Sequence, residues 1–469
     1  MHIQGDPWRK QIPIDSATPS MRANTPDLSI NAMPTKELFI DMLTRDISLI
    51  PAIVDLVDNC ADGARRLQGE GSYKGLWSRV EISQDGFRIS DNCGGIPVDI
   101  ARKYAFRFGR PSGSPTVSHS VGQFGVGMKR AMFKLGTKFR VESATANSRF
   151  VVEEDVHQWA ADPDKWEFQF KELQERIRVA RDSQGTTIEV NPLHEDVAEA
   201  FSLATFATEL KNELQARLGD PISRGLAVTL NQVPVNAEPL SVLADKRLAP
   251  AYKKLKYTKP GAKTVTVKLY CGLGQSEDRE AAGWHVLCNG RLILEGDKTK
   301  VTGWGEKAGD VSIPGFHGQF NHLRGYAYFD CDDASRLPWN TTKTGINTDS
   351  LIFRAVRLEM MKLMRPVVDF LNKLKEEKER KGNEEAVGPL EKLVTASPTQ
   401  PVTQVKPRGF FELPNVKAVP AKAGSKLQRI QYDKPVEQVE EAMKALKVRS
   451  FKAVGEKTFE YFYKAEVDQ

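Results

Sequence analysis

The chain has 469 residues, too many for one ordinary core, and a length prior of about two to four domains applies. With 40% hydrophobic and 27% charged residues it has the composition of a soluble globular protein, and no run of about 18 apolar residues offers a membrane-spanning helix. The net charge of +6 permits a polyanionic partner without demanding one, the excess being read as spread over a long chain. Five separated cysteines (Cys60, Cys93, Cys271, Cys288, Cys331) show no paired spacing, which argues against a disulfide framework or structural zinc and for a reducing cytoplasm. The first residues lack the apolar stretch of a secretory signal.

In chain order, residues 1–33 read as an extended arm. A helical pattern starts at Thr35, with Leu38, Met42 and Ile47 apolar, and a second helix is expected from Pro51, where a missing N–H costs nothing. Strands are expected at 76–82, 86–90, 138–144, 148–153, 166–170 and 186–191. A long helix over 196–218 leads into a second α/β unit with strands at 226–230, 263–270, 284–288 and 323–329. Another helix covers about 349–380. Interleaved helices and strands predict an α/β (α+β sandwich) class. The expected domains are 34–195, 196–348, a helix over 349–383, a linker over 384–425 and a small docking element over 426–469. That last element holds VEQVEEAMKALKV and the aromatic residues Phe459, Tyr461, Phe462 and Tyr463.

Three constellations carry chemistry. In PAIVDLVDNCADGARR (51–66), Asp55, Asn59 and Asp62 share one helix face. Carboxylates and an amide on an otherwise apolar helix need partners if buried. Mg²⁺ and an attacking water would supply them, with Asn59 a metal ligand and Asp55 a base; a solvated amphipathic face is the competing reading. In ISDNCGGIP (89–97), Asp91 ends a strand before Gly94 and Gly95, so it can accept from an exocyclic amine such as that of adenine while backbone approaches a flat ligand. An ordinary Asx turn fits the same string. In SVGQFGVGMKRAMFKLG (120–136), Gly122, Gly125 and Gly127 precede a helix, an arrangement that binds phosphate or simply packs a helix closely on a sheet. A polar stretch over 109–120 ahead of it has the character of a lid. No GxxxxGK[ST] loop occurs, and the glycine loop does not follow a first strand as in dinucleotide folds. The order of the three features favours one nucleotide site.

Together these motifs resemble the GHKL superfamily, whose members include type II topoisomerase ATPase subunits, ninety-kilodalton heat-shock chaperones, sensor histidine kinases, MutL and MORC proteins. DLVDNCADG (55–63) is similar to the family's N-box, DNCGGI (91–96) to its DxGxG box, GQFGVGM (122–128) to its GxxGxG box and GTTIEV (185–190) to a threonine-bearing strand. LPWNTTKTGI (337–346) looks like the lysine loop of a transducer domain; an exposed turn lysine is the plainer alternative. The resemblance implies a Bergerat-type ATP-binding domain, a smaller α/β transducer-like domain and a helical C-terminal segment, with ATP and Mg²⁺ as cofactors.

By the same resemblance Asp55 is the general base and Lys343 the γ-phosphate lysine. Asn59 is the magnesium ligand, Asp91 the adenine reader, and Asp62 and Thr186 support the adenine end. Gly95, Ile96, Gly122, Gln123, Phe124, Gly125, Val126, Gly127 and Met128 line the nucleotide. Two departures stand out. Asp55 replaces the usual Glu and is about 1.5 Å shorter, enough for slow turnover, and Asp58 competes for the base assignment. Cys93 stands where a glycine is usual. A MutL- or MORC-like clamp that homodimerises on ATP is the expected function, with a nucleotide-gated scaffold or chaperone-like ATPase as the alternative. The partner is DNA or another protein, and no membrane. Lysines between Lys246 and Lys268, interleaved with Tyr252 and Tyr257, either line a nucleic-acid groove or guard an exposed strand edge.

Overall fold

Thr35 opens the first helix by accepting from the Leu38 amide at 3.3 Å. The structure is a computed structural model and describes residues 34–69, 71–109, 119–122, 125–275, 279–381, 387–406, 408–412, 430–431, 433–448 and 450–467. The arm expected over 1–33, Gln123, Phe124 and most of the expected lid lie outside the described residues. The chain divides into two units between Pro414 and Asn415.

The first unit begins with α1 (Lys36–Arg45) and α2 (Leu49–Gln68). Helix α2 starts two residues before Pro51, leaving the proline in the first turn, and it stops where Gly69 adopts φ +59°. Next come β1 (Trp77–Ser83), β2 (Gly86–Asp91), α3 (Val98–Ile100) with a π-helical turn over Ala101–Ala105, and α4 (Gly127–Leu135). They are followed by β3 (Lys138–Ala144), β4 (Ser148–Asp155), α5 (Val156–Ala161), β5 (Phe170–Glu175) and β6 (Gly185–Val190). Helices α6 (Glu195–Ser202), α7 (Ala204–Arg217) and α8 (Gly219–Ser223) then lead to β7 (Ala227–Leu230) and β8 (Val233–Val235).

These eight strands form one sheet in the order β5-β4-β3-β6-β2-β1-β7-β8, antiparallel except for the β1–β7 pair. Alternate residues of β1, Val80 and Ile82 among them, point into a core shared with Ile53 and Val57 of α2 and Met132 of α4. Asp55, Asp58 and the apolar residues around them are all buried, so α2 is enclosed on nearly every side.

Three sequence expectations need correction here. Residues 166–169 are not a strand; Trp166 and Phe168 instead pack with Phe108 and Trp159, and pairing begins only at Phe170. The helix expected over 196–218 breaks at Leu203, whose ψ of 123° is extended. The strand after it joins the first sheet, not the second: β7 pairs with β1, and Leu210, Leu214, Val228 and Val235 belong to the first core. Hydrophobic periodicity identifies an element but not the sheet it joins.

The second layer holds β9 (Ser241–Leu243), β10 (Ala251–Lys259), β11 (Ala262–Leu273), β12 (Gly283–Cys288) and β13 (Arg291–Asp297), then the short β14 (Lys307–Ala308) and β15 (Val311–Ser312), and β16 (Leu323–Asp330). Its five-stranded sheet runs β10-β11-β16-β12-β13. The long α9 (Leu351–Lys381) covers one face, burying Phe353, Val356, Met364 and Leu371 against Val267, Leu269, Trp284 and Phe329. Residues 389–406, within the stretch expected to be a linker, are packed. Helix α10 (Pro389–Ala396) buries Leu393 and Val394, β17 (Thr399–Pro401) pairs with β9, and Val402 and Val405 cover Tyr326. Elements this short leave no periodic signature, which is why the segment read as a linker.

In the second unit, α11 (Val436–Leu446) and α12 (Phe451–Glu466) form a helical pair, the latter capped by Ser450. Phe459, Tyr461, Phe462 and Tyr463 are exposed. The α/β class expected from the sequence holds.

Candidate functional site

Helix α2 places Asp55, Asn59 and Asp62 along one wall of a cavity of 280 Å³. The Asp62 carboxylate accepts from the backbone amides of Val121 at 2.9 Å and Gly122 at 2.8 Å, and pairs with Arg65 at 3.1 Å. Burial pushes its pKa up, opposed by Arg65 and those two amides. Asp62 therefore shapes the glycine loop. Asn59 is exposed to the cavity. Gly122 lets the loop approach, since a Cβ there would lie 3.1 Å from Asp62 and 3.7 Å from the Asn59 Oδ1.

Strand β2 delivers Asp91 to the opposite end. Its carboxylate accepts from the Cys93 amide at 2.7 Å. Burial raises its pKa to about 6, against the stabilising effect of that amide, the Cys60 thiol and the Thr186 amide. Gly95 has φ +68°, and a Cβ there would sit 2.1 Å from the Ala144 carbonyl oxygen, so no side chain fits. The Ile96 amide donates to Ser143 Oγ at 2.7 Å, which in turn lies 3.0 Å from Thr186 Oγ1. Leu56, Ile89, Ile96, Ile100, Met128 and Ile188 make the walls apolar. One carboxylate in a flat apolar slot suits a purine.

At the third side, Gly125, Val126, Gly127 and Met128 bring the start of α4 to the cavity. A Cβ on Gly127 would come within 3.2 Å of Asp55 Oδ2, so the missing side chain permits the close approach of α2 and α4. Every expected site residue that is described, from Asp55 to Thr186 and Lys343, lines this one cavity.

Behind it lies a buried cluster of five charges. One Asp55 oxygen accepts from Arg130 at 2.6 Å and the other from Lys343 at 3.1 Å. Asp58 pairs with Arg291 and, at 3.3 Å, with Lys343. Lys343 is 5% exposed, which removes the reading of a turn lysine in solvent. Its loop is stapled by Asn340, whose Oδ1 accepts from the Thr344 amide at 3.0 Å, and it takes φ +55°, a left-handed conformation costing about 1–2 kcal/mol. Burial raises the Asp55 pKa, but Lys343, Arg291 and Arg130 together outweigh it and leave it below the usual carboxylate range. Asp58 lies outside the cavity lining, so of the two acids only Asp55 faces a ligand.

Cys93 keeps a negative φ and packs its side chain where α2 has Gly63, the position whose own Cβ would meet it at 2.9 Å. The substitution for the usual glycine is thus matched by a glycine across from it.

Sequence reasoning missed Arg66, Lys129, Arg130, Ser143 and Arg291. Arg66 donates to the Gly95 carbonyl at 2.6 Å and steadies the turn after β2. Arg130 was visible as a basic residue heading an apolar helix, and Arg291 as the residue after an Asn-Gly pair. Asn289 and Gly290 adopt φ +47° and +81°, the turn that such a pair makes in a hairpin. The Asn289 amide nitrogen then donates to the Ser120 carbonyl at 3.2 Å, bringing the β12–β13 hairpin against the glycine loop.

The charge is not evenly spread, as the sequence reading assumed. Residues 246–276 hold eight basic side chains and no acidic one, against a whole-chain excess of six, so the remainder is on balance acidic. Their centre is the edge hairpin β10–β11, where Lys253 pairs with Glu359, Lys263 with Asp332 and Lys268 with Asp330.

Residues 47–186 match the family described as histidine kinase-, DNA gyrase B-, and HSP90-like ATPase. No curated protein matches the chain. No helix among the described residues is long and apolar enough to cross a membrane.

Proposed function

We propose, from the GHKL-type ATP-binding domain that residues 47–186 form, that the chain is a slow, Mg²⁺-dependent ATPase working as a MutL- or MORC-like clamp. The observation that carries this reading is the convergence of Asp91, Asn59, the glycine loop and Lys343 on one cavity. Asp91 reads the adenine amino group in the apolar slot. Asn59 would hold Mg²⁺ through its hard side-chain oxygen, and the ion would supply charge neutralisation at the phosphates. The amides at the start of α4 face the phosphates.

Lys343 and Asp55 set the rate. Both oxygens of Asp55 are engaged by cations, and a carboxylate so paired is a weak base. Three cations surround two carboxylates, so the cluster carries one surplus positive charge, and a terminal phosphate is the anion that balances it. When Lys343 turns to that phosphate, Arg130 still pairs Asp55 and Arg291 still pairs Asp58. Asp55 then has one oxygen free to take a proton from water. Binding energy from the third phosphate thereby favours a closed state and dimerisation. Phosphate release by pure protein tests hydrolysis, and light scattering with a non-hydrolysable ATP analogue tests dimerisation. An analogue that fails to bind would refute the site; an unchanged mass would remove the clamp.

The lysine hairpin favours one addition, a nucleic-acid partner. Lys254, Lys256 and Lys259 have no acidic partner among the described residues. Labelled DNA titrated at low and moderate salt should bind with steep salt dependence; no binding at low salt leaves these lysines as guards of an edge strand.

A further inference from the structure

Lys129 sits in the first turn of α4, is 1% exposed and lines the same cavity. Its Nζ donates to the Ala105 carbonyl at 2.7 Å and to the Gly125 carbonyl. The charged groups on the elements around it are Asp55, Asp58, Asp62, Arg65 and Arg66 on α2, and Lys36, Glu37, Asp41 and Arg45 on α1. To these add Arg102, Lys103 and Tyr104 in the turn before the glycine loop, and Arg130 and Lys134 on its own helix. None of these forms an ion pair with it, and Asp55, the acid close to α4, is already taken by Arg130 and Lys343.

The donor count is informative. A neutral lysine amine has two N–H donors, and two carbonyls satisfy them. The ammonium has three, so the charged form holds one donor without an acceptor in a buried setting. Burial accordingly lowers its pKa to about 7, with no neighbouring charge contributing.

We propose that Lys129 is a phosphate-binding residue of this site, whose third donor and positive charge are completed by a phosphate oxygen of the bound nucleotide. The inference rests on the ATP-site reading above. The amine takes one proton from solvent as the phosphate arrives, becoming the ammonium; no other bond changes. Nucleotide binding is therefore coupled to proton uptake through a residue that belongs to neither the metal nor the adenine end. Being bonded to Gly125, the same group ties the glycine loop to the turn that ends at Ala105.

Calorimetric titration with Mg²⁺ and the imido analogue of ATP, in buffers of different ionisation enthalpy, counts the protons. With a free-state pKa of about 7, the expected net uptake is about 0.9 proton per nucleotide at pH 8, where Asp91 is already ionised. It falls to near zero at pH 6.5, where release from Asp91 offsets the roughly 0.2 proton that Lys129 takes up. Lys129→Arg, permanently charged, should bind the analogue with that uptake abolished. Lys129→Met should lose on the order of 10- to 100-fold affinity for the analogue while adenosine binding is unchanged. Analogue binding without proton uptake at pH 8 in the unmutated chain, or uptake at pH 8 that persists in both variants, overturns the proposal and leaves the ATP site standing. Failure of the unmutated chain to bind the analogue at any pH overturns both.

Discussion

The two layers of the first unit divide the work by charge. The first supplies the acids, Asp55, Asp58, Asp62 and Asp91, with the glycine turns between them; the second supplies Arg291 and Lys343. Residues 47–186 hold both buried carboxylates of the cluster but only one of its three cations, Arg130. A buried carboxylate left without its partner is costly, so the nucleotide layer is electrostatically incomplete by itself. The second layer thus completes the cluster, with Arg291 entering it from the β12–β13 hairpin and Lys343 from its loop.

The largest test of that division is Arg291→Ala. It leaves Asp58 to Lys343 alone, and breaking a pair this deeply buried costs about 3–5 kcal/mol. Thermal unfolding should show the loss; an unchanged midpoint would mean that the two layers do not depend on each other's charge.

Asp91→Asn probes the first layer without touching the second. Loss of a charge-assisted hydrogen bond should weaken nucleotide binding on the order of 100-fold, measured by calorimetry. The same group gives a pH signature. As pH falls through about 6, Asp91 takes up a proton and its acceptor strength is lost, so affinity should fall towards about tenfold per pH unit. Its effect on stability has the opposite sign. The folded pKa lies above the ordinary carboxylate value of 3.8, so the folded chain binds this proton more tightly, and the group's contribution to stability grows as pH drops from about 6 towards 3.8. Affinity that is flat between pH 5 and 7 would remove Asp91 from the binding site.

Lys343→Ala probes the second layer's reach into the first. It should reduce the preference for a triphosphate over a diphosphate by about tenfold, with adenosine binding unaltered. Equal losses for all three ligands would make Lys343 a structural cation only. The smallest expected effect is that of Cys93→Gly, a loss of about 1 kcal/mol in denaturant unfolding from added backbone freedom and lost packing against Gly63. A gain in stability there would show that Cys93 strains its turn.

The contrast also separates what could be read early from what could not. Asp55, Asn59, Asp62, Asp91 and the glycines were legible because each acts through a local pattern: one helix face, one strand end, one helix start. Lys343 was legible only through its loop string. Arg130 and Arg291 had comparable local cues, a basic residue on an apolar helix and an Asn-Gly turn, but their partners lie 75 and 233 residues away in the chain. Spacing carries no information about such pairs. The same limit explains β7, whose pattern was plain while its sheet was not, and residues 389–406, whose short elements are held by tertiary contacts.

Sequence alone was enough to specify the α/β class and which carboxylates, amide and glycines line the cavity, because helical and strand periodicities are properties of neighbouring residues. Tertiary structure decided the rest: that Asp55 is held by two cations, that Lys343 is buried between two acids, and that the buried Lys129 amine meets two carbonyl acceptors. Burial and long-range pairing set those charges, since a buried ionisable group's behaviour depends on whichever atoms surround it, however distant in the chain.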